Sequence, residues 1–103
     1  MTLDFVWEGD QGLGGGAWIA WTDEGCATVQ PLHADGTCYV DQAPLGFSEL
    51  HAWWYDDTED RFLDPVTRRE IATYATFEVS DAPVFGTLDE ACAAFAHVRS
   101  CTR

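Results

Sequence analysis

Residues 50–63 read LHAWWYDDTEDRFL, and this stretch decides the fold. Leu50, Ala52 and Trp54 line one side of an extended chain, and His51, Trp53 and Tyr55 line the other. Asp56-Asp57-Thr58-Glu59-Asp60 is a turn, and Arg61-Phe62-Leu63 resumes as a strand before Asp64-Pro65 turns the chain again. Two short strands joined by a tight polar turn predict an antiparallel hairpin.

Outward from this hairpin the same grammar repeats. Toward the N-terminus, residues 2–8 alternate with period two, Leu3, Phe5 and Trp7 against Asp4, Val6 and Glu8. Residues 17–22 (AWIAWT) form a strand that is apolar on both faces, with Trp18 and Ala20 on one and Ala17, Ile19 and Trp21 on the other. Asp23-Glu24-Gly25 is a turn, Cys26 to Gln30 a strand, Pro31 to Gly36 a second turn, and Thr37 to Asp41 a further strand. Residues 42–48, with Pro44 and Gly46, read as a loop. Toward the C-terminus, Arg68 to Val79 alternates as a strand, though Arg68-Arg69-Glu70 also fits the start of a short helix. Thr87-Leu88-Asp89-Glu90 fits a capping box. Leu88, Ala91, Cys92, Phe95 and Val98 then recur at helical spacing, with Arg99 suited to the negative end. The expected fold is α+β: an antiparallel meander of about five to seven strands with one C-terminal helix on one face. At 103 residues, a single domain over 1–103 is expected.

Composition narrows the function. Eighteen acids against five bases, all arginine, give a formal charge of −13. Nucleic-acid affinity comes largely from Lys and Arg on phosphates, so direct nucleic-acid binding is excluded in practice. Anionic lipid would repel the chain, and no apolar run approaches the roughly 20 residues of a spanning helix. Apolar residues make up 47% and aromatics 14%, enough for a core, so this is not a disordered acidic tail. The N-terminus lacks the basic start and apolar stretch of a secretory signal, which points to the cytoplasm and to reduced thiols at Cys26, Cys38, Cys92 and Cys101. Cys26 and Cys38, on neighbouring predicted strands, are within reach of one another. With His33 they do not match the usual zinc-ligand spacing, and a fourth ligand is not evident, so no metal is expected.

Known catalytic spacings are absent. There is no His-Glu-x-x-His, no Gly-x-Ser-x-Gly and no Lys, and His33, His51 and His97 are scattered. The Gly-rich segment 9–16 is not a phosphate cradle: no helix pattern follows it, no Lys or Ser/Thr closes it, and Asp10 would repel phosphate. Asp56, Thr58 and Asp60 fall at calcium-loop positions one, three and five, but Arg61 stands where Gly is needed and Thr67 where Glu is needed. The reading is a protein without enzymatic activity and without a cofactor.

The acids themselves are the remaining signal. Asp56, Asp57, Glu59, Asp60 and Asp64 fall within nine residues, and self-repulsion of this kind costs stability. Acids two apart on an extended strand stand about 6.8 Å apart, comparable with successive phosphates. A basic nucleic-acid-binding protein or complex is therefore the expected partner. The acids would steer association, and Trp53 and Tyr55, or Trp18 and Trp21, would anchor it. The ordinary alternative for any one of these tryptophans is a place in the core.

In charge and size the chain is similar to small acidic inhibitors that mimic nucleic acid, such as phage proteins that block restriction or CRISPR complexes and immunity proteins that neutralise nucleases. This is a likeness of surface and not of motif. The competing reading is a structural or assembly module that pairs through its aromatic strands, its acidity serving solubility or adaptation to high salt.

Overall fold

The structure, a computed structural model, describes residues 3–9 and 15–96. Strands β1 (Val6–Glu8), β2 (Ala17–Thr22), β3 (Gly25–Leu32), β4 (Glu49–Asp56), β5 (Arg61–Leu63) and β6 (Glu70–Thr73) lie side by side in chain order, every pair antiparallel. β7 (Val84–Phe85) pairs with β4 through Leu50↔Phe85 and His51↔Val84. β4 therefore shares one edge between two partners, β5 along Trp54–Asp56 and β7 along Leu50–His51. Helix α1 (Leu88–Ala93) follows and packs on one face of the sheet. The expected α+β meander with a C-terminal helix is the observed architecture.

The central strands β3 and β4 are buried along most of their length because packing covers both of their sides. Register puts Trp18, Ala20, Ala27, Val29, Ala52, Trp54 and Leu63 on one face, where Ala91 and Phe95 close the core. Trp53 and Phe62 lie on the opposite face, packed with Ala82, Ile71, Phe77 and Val79. Phe77 stacks on Phe62 with ring centroids 4.0 Å apart and meets Trp53 at 4.9 Å. Segment 74–82 thus covers part of the second face, where a strand alone would leave it open.

Three expected elements differ. Residues 37–41 are not a strand and pair with the sheet at the bridge Leu32↔Cys38. β4 pairs along the whole of β3 and β2 takes the other edge up to Val29, so the edge left to this alternating segment is only the end of β3, where Cys38 bridges Leu32. It runs instead against the glycines: the Tyr39 carbonyl accepts from Gly16 N–H, and a Cβ on Gly15 would stand 2.1 Å from that of Cys38. The Gly15–Gly16 end of the loop is a close-packing device.

The expected strand 68–79 pairs only over Glu70–Thr73, then turns and forms a 3₁₀ turn at Val79–Asp81. Phe77 and Val79 bury themselves over Trp53 and Phe62, and pairing at the sheet edge would leave them in water. The helix start considered at Arg68 is a turn, with Arg68 at φ 65 and its N–H bonded to the Asp64 carbonyl.

Strand 2–8 is observed as Val6–Glu8, while Leu3 and Phe5 pack on the helix-side core. At the helix, Thr87 accepts from Glu90 N–H at 3.1 Å as expected, and Glu90 accepts from the Thr87 hydroxyl. Thr2, Asp10, His97, Val98, Arg99 and Cys101 lie outside the described residues. Among the described residues, no helix is long and apolar enough to cross a membrane.

Candidate functional site

The acids gather at one end of the sheet because two hairpins turn there. The β2–β3 turn carries Asp23 and Glu24, and the β4–β5 turn carries Asp56 to Asp60. The turns are tied together: Asp57 N–H donates to the Glu24 carbonyl at 2.9 Å. Asp23, Glu24, Asp57 and Glu59 are exposed and make no ion pair among the described residues.

The other acids of the expected patch serve the fold. Asp56 is half-buried; it accepts from Thr58 and Glu59 N–H and pairs with Arg61 at 3.2 Å. Arg61 in turn reaches Glu70 at 3.5 Å. Asp60 has φ 56 and accepts the Tyr55 hydroxyl. Asp64 accepts from Val66 N–H at 2.8 Å and Thr67 N–H at 3.1 Å. It stands at the far end of β5, about 10 Å away along the strand, so it does not join the acidic end.

The expected anchors also separate. Trp53 is 1% exposed beneath Phe77 and belongs to the core. Trp18 is half-buried against Trp7 and Phe47 on the helix-side face. Tyr55 and Trp21 remain at the acidic end. The register Trp21↔Cys26↔Tyr55↔Phe62 sets these four residues in one row across four strands, on the face opposite the helix. Trp21 is 67% exposed. Tyr74, equally exposed, lies 6.2 Å from both Phe62 and Tyr55 and continues the row. Tyr74 had no signal in the sequence, since it falls inside a segment that reads as a strand. The nearness of Asp23 and Glu24 to Asp57 was legible only through the pairing of β3 with β4.

Electrostatics at this end favour neutral side chains. The Tyr55 phenol is pushed up to about 12, first by its hydrogen bond to Asp60, then by lost hydration and the neighbouring charges of Asp60, Asp57 and Tyr74. Burial pushes the Cys26 thiol up; the Thr28 hydrogen bond lowers it and the Asp57 charge raises it. Burial also raises Cys38, and burial with the charge of Asp89 raises Cys92. Thiols held protonated are poor nucleophiles and poor metal ligands.

Among the described residues, the remaining chemistry-bearing side chains stand apart. Cys26 and Cys38 are free thiols at opposite ends of β3, about 20 Å apart along the strand, so the expected approach does not occur. His33 stacks on Tyr39 with centroids 3.6 Å apart. His51 is buried, with Nδ1 3.1 Å from the Ala82 carbonyl and Nε2 3.6 Å from the Glu49 carboxylate. It faces away from the helix that carries Cys92, so no Cys–His pair forms between them.

An α+β antiparallel meander with an acidic, aromatic end is the class that fold and site define. Comparison with known protein families, with curated sequences and with solved structures finds no match.

Proposed function

We propose that this is a non-enzymatic binding protein that occupies the nucleic-acid-binding surface of a basic protein or complex, and so inhibits it by mimicry. The observation that carries the reading is the joining of two acidic turns beside exposed aromatic residues, Trp21 and Tyr74. Unpaired carboxylates speed encounter with a basic surface, and exposed aromatics supply anchoring area. Among the described residues, the raised thiols of Cys26, Cys38 and Cys92 support a binding role over catalysis. A cytoplasmic location belongs to the same reading, as the compartment in which such targets work and thiols stay reduced.

The test is capture with the tagged full chain, followed by elution with competing nucleic acid. Glu24→Lys, Asp57→Lys and Glu59→Lys together form the informative variant, because these side chains make no ion pair among the described residues. Asp56 and Asp60 are poorer choices, since both hold the turn. The expected result is a basic nucleic-acid-handling protein that nucleic acid displaces and that the triple variant binds at least tenfold more weakly. A partner that nucleic acid does not displace would overturn mimicry. A stable complex of the chain with itself alone would favour the assembly module.

A further inference from the structure

Gln30 is a polar side chain that the core encloses without pairing. It lies toward the end of β3, on the face opposite the helix, and is 0% exposed. Its amide offers two N–H donors and a carbonyl acceptor. Among the described residues, neither Oε1 nor Nε2 has a hydrogen-bond partner, and both atoms are shut off from solvent. Buried polar atoms are nearly always bonded, to protein or to an enclosed water, because a dry amide forfeits the bonds it makes in the unfolded chain.

A second group with an unused lone pair faces it. His51 stands directly across from Gln30 on β4, so the two side chains leave the sheet on the same face, with Cβ atoms about 4.5–5.5 Å apart. The Nδ1 atom of His51 lies 3.1 Å from the Ala82 carbonyl oxygen. A carbonyl accepts and cannot donate, so Nδ1 carries the proton in that bond, and the neutral ring keeps its lone pair on Nε2. The Glu49 carboxylate, 3.6 Å from Nε2, has no hydrogen to give when ionised. Nε2 therefore needs a donor, Gln30 Oε1 needs a donor, and the Gln30 N–H groups need an acceptor. A direct bond from the amide to Nε2 would still leave Oε1 without a donor. A water molecule supplies two hydrogens and a lone pair at once, and enclosed waters typically make about three bonds to groups of this kind.

We propose that Gln30 and His51 jointly bind an ordered water molecule. It accepts from a Gln30 N–H, returns one hydrogen to Gln30 Oε1 and gives the other to His51 Nε2. Ala82 belongs to the segment that roofs Trp53, so the water links β3, through the ring of His51, to that roof.

The test is nuclear magnetic resonance of the labelled full chain at about pH 8, where an ordinary histidine, with a pKa of about 6.5, is neutral. Water should give cross-peaks to the Gln30 side-chain N–H protons that have opposite signs in laboratory-frame and rotating-frame Overhauser spectra. That sign marks a held water, whereas proton exchange gives equal signs. The ring nitrogen shifts of His51 should show a proton on Nδ1 and none on Nε2. Gln30→Leu, which keeps much of the volume without the amide, should abolish the held-water signal at the His51 ring protons. Gln30→Met, unbranched as glutamine is, gives the same reading if the leucine variant does not fold. Exchange peaks alone at Gln30 overturn the site. Protons on both ring nitrogens at about pH 8 overturn it in favour of a His51–Glu49 ion pair. A held-water signal at His51 that survives loss of the amide overturns the joint site as well.

Discussion

Tyr55 and Asp60 show how one side chain can serve the fold while appearing to belong to a site. Asp60 takes a left-handed conformation, φ 56, that Asp and Asn tolerate better than other residues, and from there it accepts the Tyr55 hydroxyl. A carboxylate acceptor favours the protonated phenol, so the folded state holds Tyr55 near 12 against an ordinary 10. The folded value is the higher one, so the stability from this contact is complete below about pH 10. It is lost as pH rises from there toward 12. Spectrophotometric titration should therefore find a tyrosine ionising near pH 12, and Asp60→Asn, which keeps the backbone conformation, should return it toward 10. A midpoint that stays near 12 in the variant would assign the shift to lost hydration instead. At this scale the sequence is ambiguous in a definite way. Period two places Trp53 and Trp21 on strand faces and cannot say which face is roofed. Phe77 covers Trp53, nothing described covers Trp21, and the two end at 1% and 67% exposure.

At the scale of elements, the hairpins hold their shape through close backbone approach. Gly25 opens β3 opposite Asp56, where a Cβ would stand 1.9 Å from the Tyr55 carbonyl oxygen. Backbone atoms cannot swing aside as a flexible side chain can. Gly25→Ala should therefore cost about 3 kcal/mol, near the top of the usual range for overpacking. Denaturant unfolding measures this, and a loss below about 0.5 kcal/mol, typical of a neutral surface change, would contradict it. The elements that could be read from sequence were those whose signals are local. The 50–63 hairpin, strand 17–22 and the Thr87 cap each follow from alternation, a turn or a side-chain hydrogen bond within four residues. The segments misread, 37–41 and 74–79, alternate as strands do, and their fate depended on something distant. β4 and β2 left only the end of β3 open for pairing, and one face of β4 and β5 needed a cover. β7 escaped notice because two residues are too few to show a period.

For the whole molecule, the governing quantity is a charge of −13 on a body of 35 × 31 × 21 Å. At about 0.01 M salt the screening length is about 30 Å, so carboxylates across the molecule repel; at about 1 M it is about 3 Å. Among the described residues, the arginine ion pairs are those of Arg61 with Asp56 and Glu70, so salt has few attractions to weaken. The Tm should rise by about 5 °C or more across this range of sodium chloride, equivalent to about 1 kcal/mol for a chain of this size. A Tm that falls with salt would mean that attractive pairs outweigh repulsion. The sequence by itself determined the charge, the antiparallel class, the helix start and the acidic turn, because each rests on composition or on neighbours in the chain. Tertiary structure alone decided that the Glu24 turn meets the Asp57 turn, that Trp53 is roofed and Trp21 is not, and that Asp56, Asp60 and Asp64 hold backbone or side-chain partners. Those outcomes depend on which strand edges and faces are already taken, and that competition is settled only when distant segments pack.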